Sequence, residues 1–281
     1  MSQYVNSNGN LLSAEGYVLE AGNRGYLYGD GLFETIRVVK GKTLNLQQHL
    51  NRLLDGMEAL EMEVPSDFDF AFFEREIHTL LIKNEIDLNA RVRLSIDRKT
   101  GGHFLPISNK VDYLIEADRI PEYEFRLNQE GLVVDLFDEI KKPINSLSNF
   151  KTKNCLIYIL GRIRAVKKGL DDHLILNEKN SIIESTSSNL FLVSNGVLYT
   201  SSLDSGCLGG TMRMQIINLA IENNIKVYEC NLNPQNLLAA DEMFLTNAIN
   251  GVRWIKKFRS KSYINEMASK LVSLLNKKWN L

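Results

Sequence analysis

Apolar positions along the chain change their period several times, and each change marks a predicted element. Tyr4 to Leu12 reads as a hairpin turning at Asn8-Gly9, and Leu32 to Val39 as a short apolar strand ending at the Lys40-Gly41-Lys42 turn. The period then becomes helical. Leu46, Leu50, Leu53, Leu54, Met57 and Leu60 share one face, and Phe72, Phe73, Ile77, Leu80 and Leu81 share the face of a second helix. Arg91 to Ile96 and Val111 to Ile115 alternate with period two and predict paired strands joined through a loop at Gly101-Gly102.

The polar stretch Glu116 to Tyr123, with Pro121 inside it, separates this region from a second series of elements. That series holds strands at Leu132 to Phe137, near 173–177, 190–193 and 197–200, at Lys226 to Glu229 and at Glu242 to Leu245. Its predicted helices run from about Asn154 to Lys168, closed by Gly169, from about Met212 to Glu222, and from Ile264 to Trp279. The reading is an α+β chain of two domains, 1–117 and 124–281, without internal repeats.

Composition narrows the function more than the fold. The 281 residues carry a net charge of −1, so no overall field favours nucleic acid or an anionic surface. Apolar runs are interrupted by Lys, Asp, Asn or Arg before they reach bilayer length. The N-terminal MSQYVNSNGN has neither a basic nor an apolar export region, which predicts a cytoplasmic protein. The 3 cysteines and 4 histidines lack metal-ligand spacing, so no metal site is expected.

Four clusters carry candidate chemistry. Lys151, in Asn149-Phe150-Lys151-Thr152-Lys153-Asn154, is either a solvated junction lysine or an amine partly desolvated for covalent work. Glu184 opens a run of hydroxyl residues that ends at Asn189. That run is either a turn rich in side chain-to-backbone bonds or the setting of a carboxylate aimed at a ligand. Leu208-Gly209-Gly210-Thr211-Met212-Arg213 opens a helix and offers backbone N–H groups to an anion, although helix-opening turns often look like this. Arg52 lies at the edge of the first helix's apolar stripe, either exposed or forked onto an anion.

Together these clusters resemble the class IV aminotransferases, the fold-type-IV pyridoxal-phosphate enzymes. That group includes branched-chain and D-amino-acid aminotransferases and 4-amino-4-deoxychorismate lyase. The resemblance runs from Arg24-Gly25-Tyr26-Leu27-Tyr28-Gly29-Asp30-Gly31-Leu32-Phe33-Glu34-Thr35 to Asp241-Glu242-Met243-Phe244-Leu245-Thr246-Asn247-Ala248. It implies a smaller N-terminal α/β domain, a larger C-terminal domain with a barrel-like sheet, pyridoxal 5'-phosphate as cofactor, a small amino-acid or amino-carboxylate substrate, and a homodimer.

Carried over by position, the resemblance makes Lys151 the Schiff-base lysine, since only it gives the family's spacing to Asn154, and Glu184 the partner of the pyridine nitrogen. Arg52, Gly210, Thr211 and Met212 would hold the phosphate, with Asn189 among the cofactor contacts and Asn247 and Ala248 on a second phosphate-side loop. Tyr28 and Phe33 would line the substrate pocket, and Arg93 and His103 would face its carboxylate end. Some positions depart from the pattern. Gly101 stands where D-amino-acid aminotransferases carry arginine, Cys155 stands where branched-chain enzymes usually carry tyrosine, and the Arg98 to Gly102 loop looks closest to the lyases. The expected activity is transfer of the amino group of a small amino acid, branched-chain ones among the candidates, to a 2-oxo acid. The alternatives are the lyase, releasing pyruvate and 4-aminobenzoate, and a non-catalytic cofactor-binding protein.

Overall fold

The computed structural model describes residues 3–281, so Met1 and Ser2 of the N-terminal stretch lie outside the described residues. Two compact units divide the chain. The first holds the residues up to Tyr123 together with Phe150–Asn154, and the second holds Glu124–Asn149 and Cys155–Leu281. The segment that carries Lys151 therefore groups with the first unit, although it follows the 117/124 boundary in sequence.

In the first unit the predicted hairpin is β1 (Tyr4–Ser7) and β2 (Asn10–Ser13), and both turn residues have positive φ, 50° at Asn8 and 83° at Gly9, as a tight primed turn requires. A five-residue helix α1 (Arg24–Tyr28), not expected from the pattern, precedes β3 (Gly31–Val39) and the short β4 (Lys42–Thr43). Helices α2 (Leu46–Ala59) and α3 (Phe70–Lys83) and strands β5 (Ala90–Arg98) and β6 (Val111–Arg119) complete the unit. The sheet order is β2-β1-β6-β5-β3-β4. α2 packs on β3, and α3 packs on β1 and β6. Leu32, Ile36 and Val38 of β3 and Val92, Leu94 and Ile96 of β5 form one core with Leu50, Leu53, Met57, Phe73 and Ile77. Side chains alternate across a strand, so Glu34 shares the core-facing side of β3 with Leu32 and Ile36, whereas Phe33 and Thr35 point to the other side.

The second unit starts with β7 (Leu132–Lys142) and continues through α4 (Leu156–Lys167), β8 (Asp172–Asn177), β9 (Ile182–Ser185), β10 (Asn189–Ser194) and β11 (Val197–Ser201). There follow α5 (Thr211–Glu222), β12 (Val227–Cys230), α6 (Pro234–Ala239), β13 (Glu242–Asn247), β14 (Gly251–Phe258), β15 (Lys261–Ser262) and α7 (Glu266–Trp279). Six strands pair around a ring, β10-β13-β14-β7-β8-β9 and back to β10 through the Asn189–Glu184 pair, with β11, β12 and β15 outside it. This is the expected barrel-like sheet, and closure leaves its six members without an open edge.

Two of those strands differ from expectation. The run from Glu184 to Asn189 leaves a turn open as one of its two readings; Glu184 and Ser185 instead belong to β9, whose four residues are all buried, and the chain bends at Thr186–Ser188. β14 has no counterpart in the pattern. A register shift between Ile255 and Lys257 breaks its alternation, so Ile255 and Phe258 are both buried although three positions apart. Among the described residues no helix is long and apolar enough to cross a membrane, and no group of three or more His, Cys, Asp and Glu residues is placed to hold a metal ion.

Candidate active site

Phe150–Asn154 lies along one end of β3. The Phe33 N–H donates to the Lys151 carbonyl at 2.9 Å, the Lys153 N–H donates to the Gly31 carbonyl at 2.9 Å, and Leu32 bridges Thr152. This ladder fixes the backbone of both lysines, and their side chains diverge. Lys153 closes an ion pair with Asp97, whose carboxylate also accepts from Asn23 Nδ2 at 3.2 Å. The motif glycines make room for that carboxylate: a Cβ at Gly25 or Gly31 would stand 2.1 or 2.4 Å from Asp97 Oδ1. The Lys151 ammonium instead lies 4.3 Å from the centre of the Phe33 ring. The Arg93 guanidinium carbon is 3.9 Å from the same ring centre, and β3–β5 register places Thr35 opposite Arg93 and Phe33 opposite Ser95. Phe33, Arg93 and Lys151 are thus brought together on the first unit.

On the core-facing side of β3, Glu34 meets α2. Arg52 donates Nε–H to Oε1 at 2.8 Å and Nη2–H to Oε2 at 2.5 Å, and His49 Nδ1 lies 2.6 Å from Oε2. Burial pushes the Glu34 carboxyl up, but the charge of Arg52 and the hydrogen bonds from His49 and Arg52 outweigh it and bring its pKa down to about 2. Burial also lowers the pKa of His49, so its ring is neutral. Since an ionised carboxylate only accepts, the ring must carry its proton on Nδ1. Arg52, expected as a phosphate ligand, is therefore first of all the partner of Glu34.

The loop with His103 is anchored from below. Buried Arg24 donates to the carbonyls of Gly101, Gly102 and His103 at 3.1, 3.4 and 2.6 Å, and to Asp30 at 2.8 Å. Arg98 donates to the same Asp30 oxygen at 2.9 Å. Tyr28 lies under the Arg24 cation and 5.8 Å from the Phe104 ring. The His103 side chain itself is exposed.

The second unit positions Glu184 by closing the barrel. Glu184 Oε1 accepts from Lys142 Nζ and from the Tyr158 hydroxyl, both at 2.8 Å, and Oε2 accepts from the Leu208 N–H at 2.8 Å. Lys142 and Tyr158 carry no local signature in the sequence. Asn189 is paired with Glu184 in register and donates to the Leu208 carbonyl at 2.8 Å. Its Oδ1 would be only 1.9 Å from a Cβ at Gly210, the residue that opens α5 and does so without a side-chain cap. Thr211 and Met212, both buried, form the first turn of that helix, where N–H groups point outward and the dipole favours an anion. Asn247 donates to Ser188 Oγ at 2.9 Å and accepts from the Ile249 and Asn250 N–H groups, wrapping the turn that contains Ala248. Glu184, Asn189, Gly210, Thr211, Met212, Asn247 and Ala248 thus cluster around one end of the barrel.

The family model for class IV amino-transferases matches residues 31–258. The chain belongs to the class IV aminotransferase family. Among class IV relatives, a Methanocaldococcus jannaschii protein provisionally named branched-chain-amino-acid aminotransferase is 28% identical over 97% of this chain and 93% of its own length. The aminodeoxychorismate lyase of Bacillus subtilis is 28% identical over 96% of this chain and 92% of its own. The crystal structure of the branched-chain aminotransferase from Thermoproteus uzoniensis with norvaline superposes with a TM-score of 0.90 at 22% identity, covering 100% of this chain and 97% of that one, and so shares the fold.

Proposed function

We propose that this class IV enzyme is a pyridoxal-phosphate-dependent transaminase that moves the amino group of a small amino acid to a 2-oxo acid, with Lys151 as its covalent anchor and proton carrier. One observation carries the choice of lysine: Lys153 is closed on Asp97, while Lys151, pinned on β3, extends its amine over Phe33.

The residues fit the cofactor that the resemblance implies. Gly210, held without a Cβ against Asn189, leaves an uncapped helix N-terminus suited to a phosphate. Glu184 is an acceptor-only carboxylate suited to a protonated ring nitrogen. The bound cofactor withdraws electrons from the amino acid's Cα, so that the Cα proton can leave. Lys151 Nζ would bond the aldehyde and, once displaced by the substrate amine, take the Cα proton and return it on the far side of the nitrogen, to the carbon that had been the aldehyde. Glu184 would keep the ring nitrogen protonated. Arg52, its fork oriented by Glu34, would add a charged phosphate ligand, and Asn247 and Ala248 would contribute from their own loop. Phe33 and Tyr28 would shape the substrate's surroundings, and Arg93 and the His103 loop would attract its carboxylate.

A second reading has specific footing in the lyase of Bacillus subtilis, which matches this chain along almost its whole length. The same proton abstraction would there be followed by loss of pyruvate. A panel of L- and D-amino acids and aminodeoxychorismate separates the two. Keto acid formed stoichiometrically, and only with an added 2-oxo acid acceptor, is expected for the transaminase. Pyruvate released without an acceptor would replace it by the lyase. On the same footing the protein is proposed to be a cytoplasmic homodimer, which light scattering checks.

A further inference from the structure

Glu184 is gripped by three elements at once. Lys142, the last residue of β7, bonds Oε1 and also the Ser148 carbonyl at 2.9 Å. Tyr158, in the first turn of α4, bonds the same Oε1. The Leu208 backbone bonds Oε2. Tyr158 reaches the barrel because Gly161, three residues on, lets the helix settle onto it. A Cβ there would stand 3.0 Å from Thr186 Cγ2 and 3.3 Å from the side chain of Ile175, the register partner of Glu184. The Lys142 and Glu184 side chains are 12% and 4% exposed, so the ion pair is largely desolvated. Two donors fill Oε1, and among the described residues Oε2 has one, leaving a lone-pair direction for a further donor.

We propose that Lys142 is a positioning residue for the reaction: it keeps the proton shared by Glu184 and the cofactor's ring nitrogen on the ring, while Tyr158 turns Oε2 toward that proton. This rests on the assignment of Glu184 to the ring nitrogen. Two protonation states of one hydrogen bond compete. With the proton on Glu184, the carboxyl is neutral and Lys142 is left as a buried cation without its countercharge. With the proton on the ring, the carboxylate is an anion that Lys142 and Tyr158 both stabilise. Lys142 bonds the carboxylate directly and so opposes a proton there most strongly, which drives the proton to the ring. The other titratable groups facing Glu184 stay neutral and leave this balance to Lys142. Burial, and then the charge of Glu184, raises the Tyr158 hydroxyl, and the same two causes push the Cys207 thiol up to about 12. A protonated ring is the stronger electron sink, so Lys142 acts on cleavage of the Cα–H bond rather than on substrate binding.

Holoenzyme reconstituted with pyridoxal phosphate carrying 15N at the ring nitrogen reads the proton directly by NMR. Wild type and Lys142→Arg are expected to show a pyridinium signal. Lys142→Met is expected to move it toward the unprotonated range and to lower kcat about tenfold for each pH unit of ring basicity lost, with KM little changed. A pyridinium signal retained in Lys142→Met overturns the role of Lys142 and leaves Glu184 in place. An unprotonated ring in the wild type, or a Glu184→Gln variant indistinguishable from it, overturns the assignment of Glu184 itself. Should Lys142→Met fail to fold, Lys142→Gln keeps a donor without the charge and decides the same question.

Discussion

Replacing Glu34 by glutamine tests the buried centre of the first unit. The change is nearly isosteric, yet it removes the carboxylate charge that Arg52 and His49 both bond, and the new amide nitrogen brings donors against donors. Glu34 is 1% exposed, so no water compensates. Breaking one side of a buried ion pair costs about 3–5 kcal/mol. Titration gives a similar figure. A carboxyl held at about 2 when folded, against an ordinary 4.5, corresponds to roughly 3 kcal/mol of stability at neutral pH.

The sign follows from which state binds the proton first. As pH falls below 4.5 the unfolded carboxyl takes up a proton while the folded one stays ionised, so the stabilisation is complete above 4.5 and drains away toward 2. Thermal unfolding at one fixed cofactor concentration should therefore place Glu34→Gln roughly 10 °C below the wild type at pH 7. The two curves should converge as the pH drops through 4 and 3, by about 1.4 kcal/mol per pH unit. Adding Arg52→Met to Glu34→Gln should recover part of the loss, because it removes the stranded cation. Equal stability of Glu34→Gln and wild type at pH 7, or a gap that stays constant down to pH 3, would refute this account of the pair.

Other expectations follow from the same geometry. Gly210→Ala puts a methyl group 1.9 Å from Asn189 Oδ1, on a backbone (φ −66°, ψ 133°) that tolerates alanine. Displacing Asn189 costs about 1–3 kcal/mol, and cofactor titration should show roughly tenfold weaker binding; unchanged affinity would remove this turn from the phosphate site. Arg24→Met strips one donor set from the carbonyls of Gly101, Gly102 and His103. Limited proteolysis should then cut within 101–107 about tenfold faster than in the wild type, since local opening sets the rate of cleavage, and an unchanged cleavage pattern would show that Arg24 does not hold the loop.

How much of this could be read from the amino-acid order depends on how far apart the interacting residues lie. α2, α3, α5 and α7 were readable because their periodicity is local and each buries one face against a core of its own unit. β14 was not, because the register shift between Ile255 and Lys257 interrupts its alternation and leaves Ile255 and Phe258 buried three positions apart. β9 is not distinguishable from a turn along the chain because Glu184 and Ser185 are polar, and their burial follows from the strand's pairing with β8 and β10, which closes the ring. The preference for Lys151 over Lys153 came from spacing to Asn154, and the ion pair that occupies Lys153 supports it independently. Arg52 shows where a motif stops: its position suggests an anion ligand, but the carboxylate it faces lies 18 residues earlier on a strand. Lys142 is the extreme case. It sits 42 residues before Glu184 with no local signature around it, and β8 lies between the strands that carry the two. A window along the chain compares a residue with its neighbours in sequence, whereas the countercharge of a buried carboxylate in a barrel comes from whichever strand the ring brings alongside. The residue that sets the chemistry of Glu184 was therefore visible only once the register of β7, β8 and β9 was known.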